Sequence, residues 1–204
     1  MSGPPVHELS DRDVDPDGRP IGCTLASVRV IGGRSRGRRL AAKLPAAVRP
    51  TSDRVRESIF DILGSRGGVE GLTVVDLFCG SGALGLEALS RGAAAATFVD
   101  QDPGALDAVR TNLESVGLGD QPVTVVRAAL PGWLAGAPAF DLALCDPPYT
   151  FEDWPALLAE LRATTAVLES SVPIALPEGW MIARERRYGG TLVTVAHRTV
   201  KASS

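Results

Sequence analysis

Cysteine is scarce in this 204-residue chain: Cys23, Cys79 and Cys145 are all there are. Their number is odd, their spacing is wide and no CxxC occurs, which argues against a disulfide framework and against a zinc site. No apolar run reaches about 18 residues, so no membrane span is expected. The first residues carry no basic segment followed by an apolar one, so no secretory leader is expected either. No internal repeat is present. A reduced, cytoplasmic, metal-free protein is the expectation. What is abundant is ordinary: 45% hydrophobic and 22% charged residues, enough to pack one domain of normal size without staples.

Positive charge is not in excess. The net charge of −3 taken alone speaks against a nucleic-acid binder, but its distribution reverses that reading. Residues 1–20 hold Glu8, Asp11, Asp13, Asp15 and Asp17 against Arg12 and Arg19. From Arg29 to Arg56 the balance inverts, with Arg29, Arg34, Arg36, Arg38, Arg39, Lys43, Arg49, Arg54 and Arg56 facing Asp53 alone. A local basic stretch is an electrostatic footprint for phosphates even in an acidic protein, and guanidinium forks suit phosphate. A solvated charged face, or an arginine-biased genome, is the alternative.

Residues 1–22 are polar and rich in Pro, Gly and Asp, which predicts a disordered tail. Residues 23–204 are read as one domain. Within it, 25–45 alternate loosely around Gly32-Gly33 and Gly37 and suggest a β-hairpin. Pro50-Thr51-Ser52 starts a helix with Thr51 or Ser52 as its N-cap, carries Val55, Ile59, Ile62 and Leu63 on one face, and ends at Gly64 and Gly67-Gly68. Hairpin and helix form an N-terminal part to residue 68. From 69 onward, short apolar runs at 72–78, 96–100, 123–127 and 141–145 alternate with helical stretches near 83–91, 103–116 and 151–162. That alternation predicts βαβ units and a parallel sheet buried on both faces. Runs at 165–169, 180–187 and 191–197 follow, the last two forming an antiparallel hairpin around Gly189-Gly190. The fold class expected is α/β, a Rossmann-like sheet of the class I S-adenosylmethionine-dependent methyltransferase layout.

Two motifs carry chemistry. Gly80, Gly82 and Gly85 satisfy GxGxxG between the first strand and its helix. The three positions serve a tight turn, close backbone approach to a ligand and close helix packing. NAD and FAD sites share the motif. Asp76, at the strand end, favours S-adenosyl-L-methionine: a carboxylate there suits the ammonium of a methionine and would repel a pyrophosphate. Phe78 and Ser81 lie in the same loop. Asp100 ends the second strand, where an acid can accept both ribose hydroxyls. Asp102, before Pro103, fits a helix N-cap better. The expected cofactor set is Asp76, Phe78, Gly80, Ser81, Gly82 and Asp100.

The second motif, Asp146-Pro147-Pro148-Tyr149, follows the fourth strand, at the sheet edge where open α/β folds bind ligands. An exocyclic amine on a base or amide is a poor nucleophile because its lone pair is delocalised. Asp146 and the Pro147 carbonyl can each accept one of its N–H bonds, aim the nitrogen and favour the charge developing on it. Proline fixes φ and so the carbonyl direction. Tyr149 can stack on a base that has left its helix. The catalytic candidates are Asp146, Pro147 and Tyr149, and the alternative is a Pro-rich turn with Tyr149 in the core.

The whole set resembles the RsmD family, the 16S ribosomal RNA guanine-N2 methyltransferases. Three blocks carry the likeness besides Asp146 to Tyr149: Arg29 to Gly33 with Arg36-Gly37-Arg38 and Leu40; Arg49 to Phe60; and Asp76 to Arg91. The resemblance implies S-adenosyl-L-methionine as cofactor and one guanine amine of 16S rRNA, within an assembled or nearly assembled small ribosomal subunit, as acceptor. It implies a monomer, since the ribosome supplies the large contact surface. It also implies that the hairpin and the 49–57 segment lie beside the cofactor cleft, with Arg36, Arg38, Arg39, Arg49, Arg54 and Arg56 as RNA contacts; Arg54 or Arg56 could instead pair with Asp53 or Glu57. Three features depart from the family pattern. Arg127-Ala128-Ala129 follows the third strand, leaving backbone amides for the adenine; the stretch from Tyr149 to the fifth strand is short; and Gly190 stands where an acid is commoner. The competing readings are an amino-methyltransferase for DNA adenine or protein glutamine, a non-catalytic RNA-binding assembly protein, and an NAD or flavin oxidoreductase, which would leave the second motif without a role.

Overall fold

The computed structural model describes residues 28–42 and 52–199. The tail over 1–22, Cys23, the outer ends of the 25–45 hairpin, Arg49 and Thr51 lie outside the described residues. In chain order the elements are α1 (Asp53–Gly64), β1 (Thr73–Leu77), α2 (Ala83–Ser90), β2 (Ala95–Asp100), α3 (Pro103–Ser115), β3 (Val123–Arg127), a 3-10 turn (Gly132–Gly136), β4 (Phe140–Cys145), α4 (Trp154–Glu160), β5 (Ala163–Ser170), β6 (Trp180–Tyr188) and β7 (Thr191–Arg198). The expected strands and helices from residue 53 onward are present, with shifted ends.

Seven strands form one sheet in the order β3-β2-β1-β4-β5-β7-β6. β1 to β5 run parallel, and β7 inserts antiparallel between β5 and β6. Alternate residues of each central strand serve two cores. Val74, Phe98, Leu144, Val167, Val193 and Val195 pack under α1, α2 and α3. Val75, Leu77, Val99, Cys145, Leu168 and Ala196 pack under α4 and the 3-10 turn. Burial on both faces explains why these strands read as unbroken apolar runs.

Local signals set the helix starts. The Ser52 hydroxyl accepts from the Val55 N–H at 3.3 Å, and Asp102 accepts from the Gly104 N–H at 2.9 Å with Pro103 in the first turn, the capping pattern expected of both residues. The short stretch before β5 is long enough because α4 has only seven residues. The Leu161 N–H closes on the Leu157 carbonyl, and the Arg162 carbonyl already accepts from Phe140 of β4. In the β6–β7 turn Gly189 has φ 58°, while a Cβ on Gly190 would meet open space.

The N-terminal hairpin is a narrow one, with a single bridge between Arg29 and Arg39 and Val30 and Leu40 buried in the same core as α2. Its anchor is Glu87, whose two oxygens accept from the Ile31 N–H (2.8 Å), the Gly32 N–H (2.7 Å) and Arg91 Nε (2.7 Å). Ser90 completes the clamp, donating to the Gly32 carbonyl and accepting from the Ser35 N–H. At Gly33, with φ 73°, a Cβ would lie 1.9 Å from the Ser90 carbonyl oxygen, so the close approach requires glycine.

The Glu87 side chain is 1% exposed, so removing it leaves two backbone donors and the half-buried Arg91 without their acceptor. Glu87→Ala is expected to cost about 3 kcal/mol in urea unfolding, with Glu87→Gln costing less because one oxygen acceptor survives. A loss below about 1 kcal/mol, no more than one ordinary hydrogen bond, would show that the hairpin is held by its apolar contacts alone.

Candidate functional site

A cleft of 680 Å³ opens at the carboxyl ends of β1, β2 and β4. The chain leaves β1 for β2 on one side, while β4 lies on the other, which makes this the topological switch point where open α/β sheets take ligands. The glycine loop forms its floor. Gly80 and Gly82 have φ 50° and 77°, and the Gly82 N–H turns back to the Cys79 carbonyl at 2.7 Å. A Cβ on Gly85 would lie 2.4 Å from the Phe98 ring and 3.1 Å from an Asp76 oxygen. Gly80 thus serves the tight turn and Gly85 the close helix packing read from the spacing, while a Cβ on Gly82 would meet Val109 and Phe98.

Phe78 takes φ 58°, a conformation that is strained for a bulky residue, at roughly 1–3 kcal/mol. Its ring packs edge-on against Phe151 at 5.0 Å, and Phe151 in turn against Trp154 at 5.3 Å. This aromatic chain joins the glycine loop to the segment that follows Tyr149.

Five acids line the cleft: Asp76, Asp100, Asp102, Asp146 and Glu169. Asp76 is 1% exposed and accepts from the Gly85 N–H at 2.9 Å. Burial pushes its carboxyl well above the usual carboxylate range; the Gly85 bond opposes this, and the like charges of Asp146 and Asp100 add to it. Asp100 accepts from the Gly80 N–H (2.9 Å) and the Asp102 N–H (3.0 Å), so one carboxylate shapes both the loop and the start of α3. Ser81 is buried, and its carbonyl accepts from Asn112 of α3 at 3.0 Å. Burial and the neighbouring Asp76 push the Cys79 and Cys145 thiols upward, which leaves them unreactive.

Beyond β3, the Ala128 N–H is used by the Asp100 carbonyl at 3.0 Å. Of the backbone amides expected there as adenine contacts, that of Ala128 is therefore already bonded, and Ala128 and Leu130 give the cleft an apolar wall.

Asp146-Pro147-Pro148-Tyr149 lies across the cleft from the glycine loop. Pro147 is buried, while Tyr149 is 59% exposed, with its hydroxyl 3.3 Å from Thr191 Oγ1. Tyr149 is therefore no core residue. Register aligns the acids. Asp76 pairs with Leu144, and Leu144 with Val167, so two residues on, Asp146 and Glu169 fall on the same face as Asp76. Glu169 was missed in the sequence; its only signal was a lone acid in an apolar strand. It is 5% exposed.

The arginines divide. Arg54 is exposed on the first turn of α1, beside Ser52 and Val55, which line the cleft. Arg56, expected as an RNA contact, is buried with its side chain 1% exposed. Its guanidinium donates to Asp53 at 2.7 Å and to the Arg29 carbonyl at 2.8 Å, with Glu87 and Glu169 also in electrostatic reach. It is an internal counter-ion because it shares the inward face of α1 with Ile59 and Leu63. Arg36, Arg38 and Arg39 are exposed, but not beside the cleft. Their turn is held by the Ser90 and Val116 carbonyls at the far ends of α2 and α3. α3 has 13 residues, which separates them from the cleft by about 20 Å.

The sequence profile of the family described as Conserved hypothetical protein 95 matches residues 28–197, the span that holds both motifs and the hairpin. The chain belongs to this family, the RsmD family of methyltransferases. Ribosomal RNA small subunit methyltransferase D of Escherichia coli K12 is 34% identical over 191 residues, covering 87% of this chain and 93% of that protein. The solved structure of Escherichia coli yhhF superposes with a TM-score of 0.74 at 32% identity, covering 86% of this chain and 99% of the other. The fold likeness extends to a magnesium protoporphyrin IX methyltransferase from Synechocystis PCC 6803 solved with bound SAM, with a TM-score of 0.58 at 21% identity, covering 72% and 79%. The RsmD-family fold is thus the class I methyltransferase sheet, closed by its antiparallel C-terminal hairpin.

The raised Asp76 carboxyl has a stability consequence. A carboxyl whose folded pKa lies above its unfolded value adds no penalty below the unfolded pKa, and destabilises increasingly as pH rises toward the folded one. Asp76→Asn keeps an oxygen for the Gly85 N–H and removes that penalty. The variant is expected to show a higher urea midpoint than the parent at pH 7 without ligand, with the gap closing on acidification. An equal or lower midpoint at pH 7 would contradict the assignment.

Proposed function

We propose that this RsmD-family protein transfers the methyl group of S-adenosyl-L-methionine to the exocyclic N2 of one guanine in 16S rRNA of the small ribosomal subunit. The observation that carries this reading is the placing of Asp146-Pro147-Pro148-Tyr149 opposite the glycine loop in one cleft, with the Tyr149 ring exposed. The similarity to small-subunit rRNA methyltransferase D over most of both chains supports the choice of rRNA.

The residues present fit the cofactor. Asp76 would hold its ammonium group, and Asp100 retains lone pairs for ribose hydroxyls after accepting from Gly80 and Asp102. Phe78, Gly80 and Ser81 line the same cleft, and Gly82 would serve by turning the loop, since its φ of 77° suits glycine. Ala128 and Leu130 offer the purine a flat apolar wall. When bound, S-adenosyl-L-methionine supplies an electrophilic methyl carried on a sulfonium.

The chain's own residues activate and aim the acceptor. Asp146 and the Pro147 carbonyl accept the two N–H bonds of the amine, turning its lone pair into the cleft and favouring the positive charge that grows on nitrogen. Tyr149 stacks on the base once it has left its helix. Of the expected RNA contacts, Arg54 serves at the cleft, and Arg36, Arg38 and Arg39 serve a more distant stretch of RNA. Arg49 belongs to the same basic set.

The test is methyl transfer from labelled S-adenosyl-L-methionine to small subunits lacking the modification, with naked 16S rRNA, duplex DNA and protein as parallel acceptors. Label mapping to a single guanine N2 is expected. Label appearing only in DNA adenine or in a protein glutamine would move the acceptor and sink the rRNA reading. In the same assay Asp146→Ala is expected to lower kcat at least about a hundredfold, while calorimetry finds cofactor binding unchanged. Retained activity would remove Asp146 from its role.

A further inference from the structure

A second concavity, of 340 Å³, lies between α1 and the edge strand β6. Three arginines line it: Arg66, Arg184 and Arg186, with the hydroxyls of Ser58 and Ser65 between them and Asp61 as the one acid. Tyr188 lines both this groove and the large cleft, so the two are neighbours with Tyr188 between them.

The groove is positive because of a bulge. The β6–β7 register shifts between Ile182 and Arg184, leaving the Ala183 carbonyl outside the ladder, where Arg66 Nη2 donates to it at 2.9 Å. Past the bulge, Arg184 pairs with Val195, Arg186 with Val193 and Tyr188 with Thr191. Val193 and Val195 belong to the core under α1, so Arg184, Arg186 and Tyr188 point to that same side. Arg184 and Arg186 are exposed. Among the described residues neither forms an ion pair within 4.0 Å. Two strand residues apart, they stand about 7 Å from each other along the groove.

We infer that this groove carries the RNA strand next to the methylated nucleotide, with Arg184 and Arg186 gripping successive phosphates. The inference rests on the rRNA reading above and adds the path of the substrate. A nucleotide whose base sits beside Tyr149 and Thr191 lies at the β6–β7 turn, and a backbone leaving it over β6 meets the arginine groove that Tyr188 also borders. Guanidinium forks on a strand edge suit phosphates and leave the bases unread. Arg66 is tied to Ala183 and to His197 (3.3 Å); it positions the bulge and is left intact in the test.

The experiment compares wild type, R184A/R186A and R184K/R186K for binding to naked 16S rRNA and to unmodified small subunits over a salt series, with methyl transfer to the same substrates. R184A/R186A is expected to weaken binding to both about tenfold or more at 0.1 M salt. It should lower the log–log salt slope by about 1.4, with cofactor affinity and kcat at saturating RNA unchanged; R184K/R186K should recover most of the loss. RNA affinity and slope equal to wild type overturn the inference. So does a loss seen only on subunits, which assigns the groove to a ribosomal protein. A change confined to self-association also overturns it, leaving the arginines as guards of an edge strand. The parent reading is judged separately, by whether the wild type labels a guanine: label with an unaltered double variant sinks only the groove. RNA that neither binds nor accepts methyl sinks both.

Discussion

The close approach of α2 to the sheet is the constraint on which the rest of this protein depends. It exists because Gly85 has no Cβ to strike Phe98. Set down there, α2 presents its N-terminus and the glycine loop to the cleft, and its Gly85 N–H holds Asp76 in place. The same helix buries every residue from Leu84 to Ser90, so its two polar side chains, Glu87 and Ser90, have to find partners inside. They find them in the backbone of the N-terminal hairpin. One steric permission therefore shapes the floor of the cleft at one end of α2 and fastens the extension at the other.

Charge is sorted by the fold. Asp76, Asp100, Asp146 and Glu169 converge on the cleft, where they suit a cationic ligand and an amine that gains positive charge. Asp76 resists ionisation chiefly because it is buried, and the closeness of Asp146 and Asp100 adds to this. Arg56 answers part of that negative charge from within. Other arginines stand outside, among them those of the hairpin turn, Arg54 on α1, and Arg184 and Arg186 on β6. The acidic cleft and the exposed arginines each suit a different part of the proposed substrate complex.

Much of this was legible in the chain. Strands buried on both faces announce themselves as short apolar runs, and β3 was read to the residue. The glycine spacing and the tetrapeptide after β4 were local patterns with local geometric causes, and both took the places expected. Ser52 and Asp102 cap their helices through contacts two or three residues away. Resemblance reached further than periodicity, naming the family that the profile match establishes, but it placed the hairpin arginines beside the cleft.

Local interactions were therefore determined by sequence alone: strand and helix identity, caps, the glycine turn and the direction of the proline carbonyl. Tertiary structure decided whatever depends on which elements meet. Arg56 went inside because its face of α1 meets the core, while its neighbour Arg54 stayed out. Arg36, Arg38 and Arg39 were carried about 20 Å from the cleft by the length of α3. Glu169 joined Asp76 and Asp146 only through the register of β1, β4 and β5. Arg184 and Arg186 turned toward α1 through a one-residue bulge against β7. A side chain's direction on a strand or helix is set by a period of 2 or 3.6, but what lies in that direction is set by contacts between residues far apart in the chain, and no local pattern encodes them.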